Sequence, residues 1–342
     1  MRRRRHPVLR GVLLFFLFLA IALYALATWV RAPGGARPAT VEFPIGTKTR
    51  VIFRELANRK LVRHAFVAEA YYRVFYRFEP LRAGEYAFSG SEGLDRIIGM
   101  LTSGEVVRHT VIVPEGLTDA ECFRLFLDQR VGTERGFERA VKEVGLVRRE
   151  WADYPDLEGF LFPDTYVVTR STPTREIVTR MLENFDRHFS PEMRRKAGEL
   201  GLSVRDAVTL ASLVEKETSL PSERPRVAAV YLNRLRMGMR LQCDPTVIYA
   251  LVKDARWKGK LHRSELEYES PYNTYLHAGL PPGPICNPGA ASLSAAIEPA
   301  RSLDLYFVAR GDGGHYFSRT YGEHLQKIVQ SRQNSQTLDD SR

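Results

Sequence analysis

Cysteine is scarce in this chain: only Cys122, Cys243 and Cys286 occur. No C-x-x-C pair exists to grip a metal or exchange thiols. An odd count also forbids complete internal pairing, so one disulfide at most is available and none is required. The H-E-x-x-H, Walker glycine-loop and G-x-S-x-G patterns are missing as well, which removes the commonest metalloprotease, nucleotide-binding and serine-hydrolase readings. Neither a metal nor a cofactor is expected. Acidic residues are in the minority, 40 Asp and Glu against 50 Lys and Arg. Half of the resulting net charge of +10, however, sits on Arg2, Arg3, Arg4, Arg5 and Arg10. The remainder is too slight to argue for a nucleic-acid partner, although it suits an anionic polymer or a membrane surface.

Charge is wholly absent from residues 11–30. At ~1.5 Å per residue this run makes about 30 Å of helix, enough to cross a bilayer. The arginines before it outnumber Arg31 and Arg37 after it, so the N-terminus is expected in the cytoplasm and everything beyond Val30 outside. Trp29 stands where an interfacial aromatic belongs. A cleaved signal peptide is the competing reading, because Ala25-Leu26-Ala27 looks like a small-residue cleavage site. The apolar run, though, exceeds the usual core of about 7–15 residues. The hydrophobic fraction of 44% is ample for an ordered extracytoplasmic part. The expected division is a basic tail (1–10), a span (11–30), a linker (31–40), a membrane-proximal module (41–150), a second domain (151–330) and a flexible tail (331–342).

Within the module a pattern recurs. V-E-F-P-I-G at 41–46 precedes a helical stretch at 49–59, and V-I-V-P-E-G at 111–116 precedes another at 118–129. Strand 84–88 and helix 93–103 lie between them, so small β/α units suited to carbohydrate binding or docking are expected. Residues 71–78 interleave aromatics with arginines, a mixture that can stack nucleic-acid bases. The outward topology leaves little nucleic acid to meet. The same residues make an amphipathic helix with Tyr72, Phe75 and Tyr76 inward. Beyond Gly238 the chain is poor in helix signals and rich in Pro and Gly, which predicts rigid loops carrying Asp244, Asn273 and Asn287. Taken singly, such residues simply cap turns.

The stretch T-L-A-S-L-V-E-K-E-T at 209–218 is different. It closes a helix that starts at Ser203, with Asp206 completing a capping pattern, and breaks at Ser219-Leu-Pro221. Glu217 follows Val214, Leu213 and Leu210 on an apolar column, whereas Glu215 lies below Ser212, Ala211 and Val208, and Lys216 looks outward. Burial disfavours a charged carboxylate, so the Glu217 pKa is expected to rise toward the range useful for proton transfer. The plainer alternative is that either glutamate pairs with Arg224 or Arg226 and only closes the helix.

Several long motifs in order resemble one family. They are E-G-F-L-F-P-D-T-Y at 158–166, L-A-S-L-V-E-K-E-T at 210–218, N-R-L-R at 233–236, M-R-L-Q-C-D-P-T-V-I-Y at 239–249, Y-N-T-Y at 272–275, G-L-P-P-G at 279–283, L-Y-F-V-A at 305–309 and G-G-H at 313–315. The chain is similar to the YceG-like (MltG) endolytic murein transglycosylases. The resemblance implies an α+β fold: one transmembrane helix, a small LysM-like β/α module, then a mixed α+β catalytic domain. It implies cleavage of the β-1,4 bond between N-acetylmuramic acid and N-acetylglucosamine, with an anhydro sugar as product and the glutamate before the motif threonine, Glu217, as acid. It also implies peptidoglycan strands as substrate and penicillin-binding proteins as neighbours. Gln242, Asp244, Tyr272, Asn273 and His315 become candidate substrate contacts by their places in these motifs. The cysteine at 243 and the arginine-rich leader depart from the pattern, and neither is expected to touch the proton chemistry. Two rivals stay open: a muramidase using water, with Asp164 or Asp244 as second carboxylate, and a wall-binding scaffold without chemistry.

Overall fold

A computed structural model describes residues 7–147 and 156–339; Trp151, where the second domain was expected to begin, lies outside the described residues. The chain divides into two compact units, one of residues 1–109 with 167–172 and the other of 110–166 with 173–342. The division thus falls well before residue 150.

The first unit opens with α1 (Pro7–Arg31), whose segment Gly11–Arg31 is long and apolar enough to cross a membrane and whose most apolar stretch is not buried within the protein. There follow β1 (Ala39–Phe43), α2 (Thr49–Asn58), α3 (Ala65–Phe75), β2 (Gly84–Phe88) and α4 (Leu94–Ser103). Strands β1 and β2 pair antiparallel, with Val41 opposite Tyr86. Side chains alternate across a strand, so Val41 and Phe43 turn inward together. They meet Phe53 and Leu56 of α2 and Ile97 and Leu101 of α4 in one core. On α3 the expectation is corrected in one place: Tyr72 is buried and Tyr76 half-buried, but Phe75 is exposed. Only one side of α3 meets the core, and Ala68 and Tyr72, four residues apart, already fill it.

Both sequence copies of strand, turn and helix form. Gly46 (φ +84°) turns the chain ahead of α2, and Gly116 (φ +80°) does so between β3 (His109–Ile112) and α5 (Asp119–Asp128). Only glycine enters that left-handed region without strain. Thr118 and Glu121 close a capping box on α5. The chain continues through α6 (Glu134–Val147), β4 (Thr165–Val168), which pairs with β3, α7 (Thr174–His188) and α8 (Pro191–Glu199). Then come α9 (Val204–Glu217) and α10 (Arg224–Arg236).

Helix α9 is the centre of the second unit, with every residue from 207 to 214 buried. The Ser203–Asp206 capping box starts it as expected, and Thr218 ends it in extended conformation. After α10 the structure holds more helix than the Pro- and Gly-rich sequence suggested: α11 (Asp244–Lys253), α12 (Ala290–Ile297) and α13 (Tyr321–Asp339). Pro245 opens α11 rather than breaking it, because proline in a first helical turn has no hydrogen bond to lose. The tail from 331 stays helical to Asp339, α13 packing on the hairpin of β5 (Tyr306–Ala309) and β6 (His315–Ser318).

Candidate active site around Glu217

The two glutamates at the end of α9 have opposite surroundings. Glu215 is a structural group: Arg224 donates to its Oε1 at 3.0 Å and the Gly289 N–H to its Oε2 at 3.0 Å. The Gly289 backbone approaches so closely that a Cβ there would strike the Glu115 carboxylate. Lys216 reaches the Gly116 carbonyl at 3.2 Å.

Glu217 has no cation partner among the described residues. Its Oε2 accepts from the Tyr231 hydroxyl at 3.2 Å and from the Cys243 thiol at 3.6 Å. Leu210, Leu213 and Val214 beneath it are buried, as the helix pattern predicted. Loss of solvation pushes the Glu217 carboxyl above the usual carboxylate range, and the negative charge of Asp244 pushes the same way. The bonds from Tyr231 and Cys243 and the nearby His315 oppose this without reversing it. Its place on the last residue of α9, at the negative end of the helix dipole, further favours the neutral acid. The result is a carboxyl that holds its proton more tightly than usual and is suited to giving it and taking it back.

The predicted contact residues separate into groups. Gln242 and Asp244 flank Cys243. Gln242 is exposed in the left-handed region (φ +51°), its N–H bound to the Thr274 carbonyl at 3.1 Å, while Asp244 is exposed at the start of α11 and accepts from the Tyr275 hydroxyl. His315 opens β6, fixed by Glu223, which accepts from its backbone N–H at 3.0 Å and meets its Nδ1 at 2.7 Å. That contact leaves the other ring nitrogen, Nε2, for a ligand.

Asn273 requires correction. It is fully buried, donates to the carbonyls of Leu266 (2.9 Å) and Tyr268 (2.8 Å) and accepts from the Tyr275 N–H (2.9 Å), so it braces its loop and offers nothing to a sugar. Tyr272 belongs to another cluster, its ring 4.8 Å from that of Tyr249 and 5.2 Å from Lys253 Nζ. Asp164 accepts from Asn184 of α7 at 2.8 Å and is tied into that framework. Cys243 is the second correction: set aside as remote from the chemistry, it touches the acid directly. Tyr231 and Glu223 were not foreseen. Tyr231 lies fourteen residues from its partner, on the next helix, and no local spacing announces such a contact.

A second pair of carboxyls lies elsewhere in this unit, Glu158 buried and Asp119 half-buried. Glu158 accepts from the Asp119 N–H at 3.1 Å and from the Tyr249 hydroxyl at 3.4 Å, and Asp119 accepts from Asn287 at 3.0 Å. Burial pushes Asp119 up to about 7 and Glu158 well above the ordinary range, each raised further by the other or by Asp156. Asn287 also accepts from the Leu161 N–H at 2.8 Å and donates to the Leu117 carbonyl at 3.1 Å, so one amide joins three loops.

The chain is similar to known proteins. The YceG-like family profile matches residues 41–330. The chain is 30% identical over 314 residues to the endolytic murein transglycosylase of Bacillus subtilis (strain 168), covering 85% of each. To the endolytic murein transglycosylase of Streptococcus pneumoniae (serotype 2, strain D39) it is 28% identical over 332 residues, 85% of this chain but 58% of that protein. A 2.6 Å crystal structure of a yceG-like protein from Listeria monocytogenes superposes with a TM-score of 0.53 at 30% identity, covering 85% of this chain and 99% of that one. With the match running through both units, this chain belongs to the YceG-like family.

Proposed function

We propose that this chain is a membrane-anchored lytic transglycosylase that cuts the MurNAc–GlcNAc β-1,4 bond inside peptidoglycan strands and leaves 1,6-anhydro-MurNAc ends. The observation that carries the reading is the Glu217 carboxyl, its proton affinity raised by burial and its Oε2 hydrogen-bonded by Tyr231 and Cys243. Glu217 gives its proton to the glycosidic oxygen as the bond to the muramyl C1 breaks. The sugar's own 6-hydroxyl then closes on C1 and its proton returns to Glu217. The acid regains its starting state. An attached nucleophile has a high effective concentration, so no second carboxylate is needed to activate water.

Gln242, Asp244 and His315 are assigned to the strand, Asp244 offsetting positive charge as it develops at C1. The order β1-α2-α3-β2 with an antiparallel strand pair supports a LysM-like, glycan-holding module. Helix α1 is the anchor in the cytoplasmic membrane, the units acting outside it, where cutting nascent strands beside penicillin-binding proteins would end their elongation.

The test is digestion of sacculi by the purified full-length protein, with the new ends weighed by mass spectrometry. Anhydro-muramyl ends are expected. Glu217→Gln is expected to lower their rate roughly 10²–10⁴-fold while the fold is kept. Reducing muramyl ends would instead make the enzyme a hydrolase, and undiminished cutting by the variant would remove Glu217 from the mechanism.

A further inference from the structure

Helix α3 turns an apolar stripe away from its own core. Phe66 is 82% exposed, Val74 68%, Phe75 64% and, just past the helix, Phe78 86%. Scattered apolar residues on a surface need no explanation, and Phe75, about 180° around the helix from Phe66, is one of these; Phe66 and Val74 on one face with Phe78 at the helix exit do need one. At 100° per residue, Phe66, Ala70 and Val74 share one face, opposite the buried Ala68 and Tyr72.

This face is continuous with the end of the apolar helix α1. Trp29 lies 5.3 Å from the His64 ring, with the Arg63 guanidinium 5.2 Å over the indole, and Val67 lines the same small hollow. Arg31 donates to the Tyr71 hydroxyl at 3.0 Å and pairs with Asp95 at 3.3 Å, so α1 is clamped to α3 where it leaves its apolar stretch. Val67 and Val74 are a heptad apart, only about 20° around the helix. The side of α3 that meets Trp29 therefore runs directly into the exposed stripe. Basic groups border it: Arg63, Arg73, which is paired with Glu69, and Arg77, whose guanidinium lies 4.9 Å over the Phe78 ring.

We infer that α3 is a second membrane contact, its Phe66–Val74–Phe78 stripe seated in the interface of the bilayer that α1 crosses, with the arginines against anionic headgroups. The inference rests on the reading of α1 as a membrane anchor. An amphipathic surface of this composition binds a lipid interface through its apolar side chains and its cations together. Tied at two points, the first unit would be fixed in rotation about α1 as well as tethered.

The experiment uses the full chain in vesicles of phosphatidylethanolamine and phosphatidylglycerol. Its three native cysteines are buried, so an environment-sensitive fluorophore can be directed to Phe66→Cys, Val74→Cys or Phe78→Cys, with Leu19→Cys as the anchor reference. Expected are a blue shift at all four sites, quenching at Leu19 by spin labels deep in the acyl chains, and quenching at the other three by labels near the headgroups. Weaker quenching at those three in phosphatidylcholine alone would support the role of the arginines. Water-like emission at 66, 74 and 78 beside a quenched Leu19 would overturn the docking while leaving the anchor intact. An unquenched Leu19 would overturn the anchor, and the docking with it. A blue shift that vanishes on diluting protein per vesicle would give the stripe to a second copy of this chain and overturn the lipid assignment.

Discussion

Two residues apart on one helix, Glu215 and Glu217 share a side-chain type and little else. The periodicity of α9 distinguished them, because Leu210, Leu213 and Val214 place one carboxyl over an apolar column and leave the other to find a partner. The sequence offered Arg224 or Arg226 to either glutamate, and only the fold gave Arg224 to Glu215. The fold alone also supplied Tyr231 and Cys243, which trim the acid's proton affinity. The Tyr231 hydroxyl donates to the charged form and lowers the Glu217 pKa; Tyr231→Phe removes that bond, so the pKa rises. In the proposed mechanism, activity depends on the protonated acid. The alkaline limb of the cleavage–pH profile is therefore expected to move to higher pH in Tyr231→Phe, and a limb that stays put or moves down would contradict this role for the hydroxyl.

At the scale of elements, the site depends on how α9 and α10 are locked together. The Glu215–Arg224 pair is nearly inaccessible to water, and Arg224 also lies 3.6 Å from Glu115. Removing one member of a buried pair strands the other's charge, at a cost of about 3 kcal/mol. Glu215→Ala is thus expected to lower the thermal unfolding midpoint clearly, whereas Glu217→Gln should leave it nearly unchanged; equal midpoints would show that Glu215 is not the structural member. Legibility varied by element. The capped, periodic α9 was plain, and so were the two strand–turn–helix copies. Helix α11 was hidden because Asp244-Pro245 looks like a turn, and α13 because its polar sequence has no marked apolar face and gains its place from β5 and β6.

For the molecule as a whole, the desolvated carboxyls of Asp119 and Glu158 couple stability to pH. Both are raised in the folded state, Asp119 from its ordinary 3.8 to about 7. Their neutral forms therefore favour folding fully below about 4, and the benefit is lost as pH rises through 7. Thermal unfolding followed across this window is expected to show the midpoint falling with pH, and Asp119→Asn should flatten the fall. A wild-type midpoint that rises with pH over the same window would show that these groups are not held neutral. This framework, with Asn287 at its junction, joins residues 117–119, 158–161 and 287, and sequence separations of that size leave no trace in local pattern.

The sequence alone determined the apolar span and the family, and it marked Glu217 as the proposed acid and the extracytoplasmic side as the expected place of the rest, because each is written in local periodicity, charge order or contiguous motif. Only tertiary structure decided that Asn273 is a brace, that Cys243 touches the acid, that Glu223 orients His315 and that Phe75 faces outward. The physical reason is range. Helix and strand patterns report which side of an element avoids water, whereas a hydrogen bond or buried pair between elements depends on where packing brings two distant segments together.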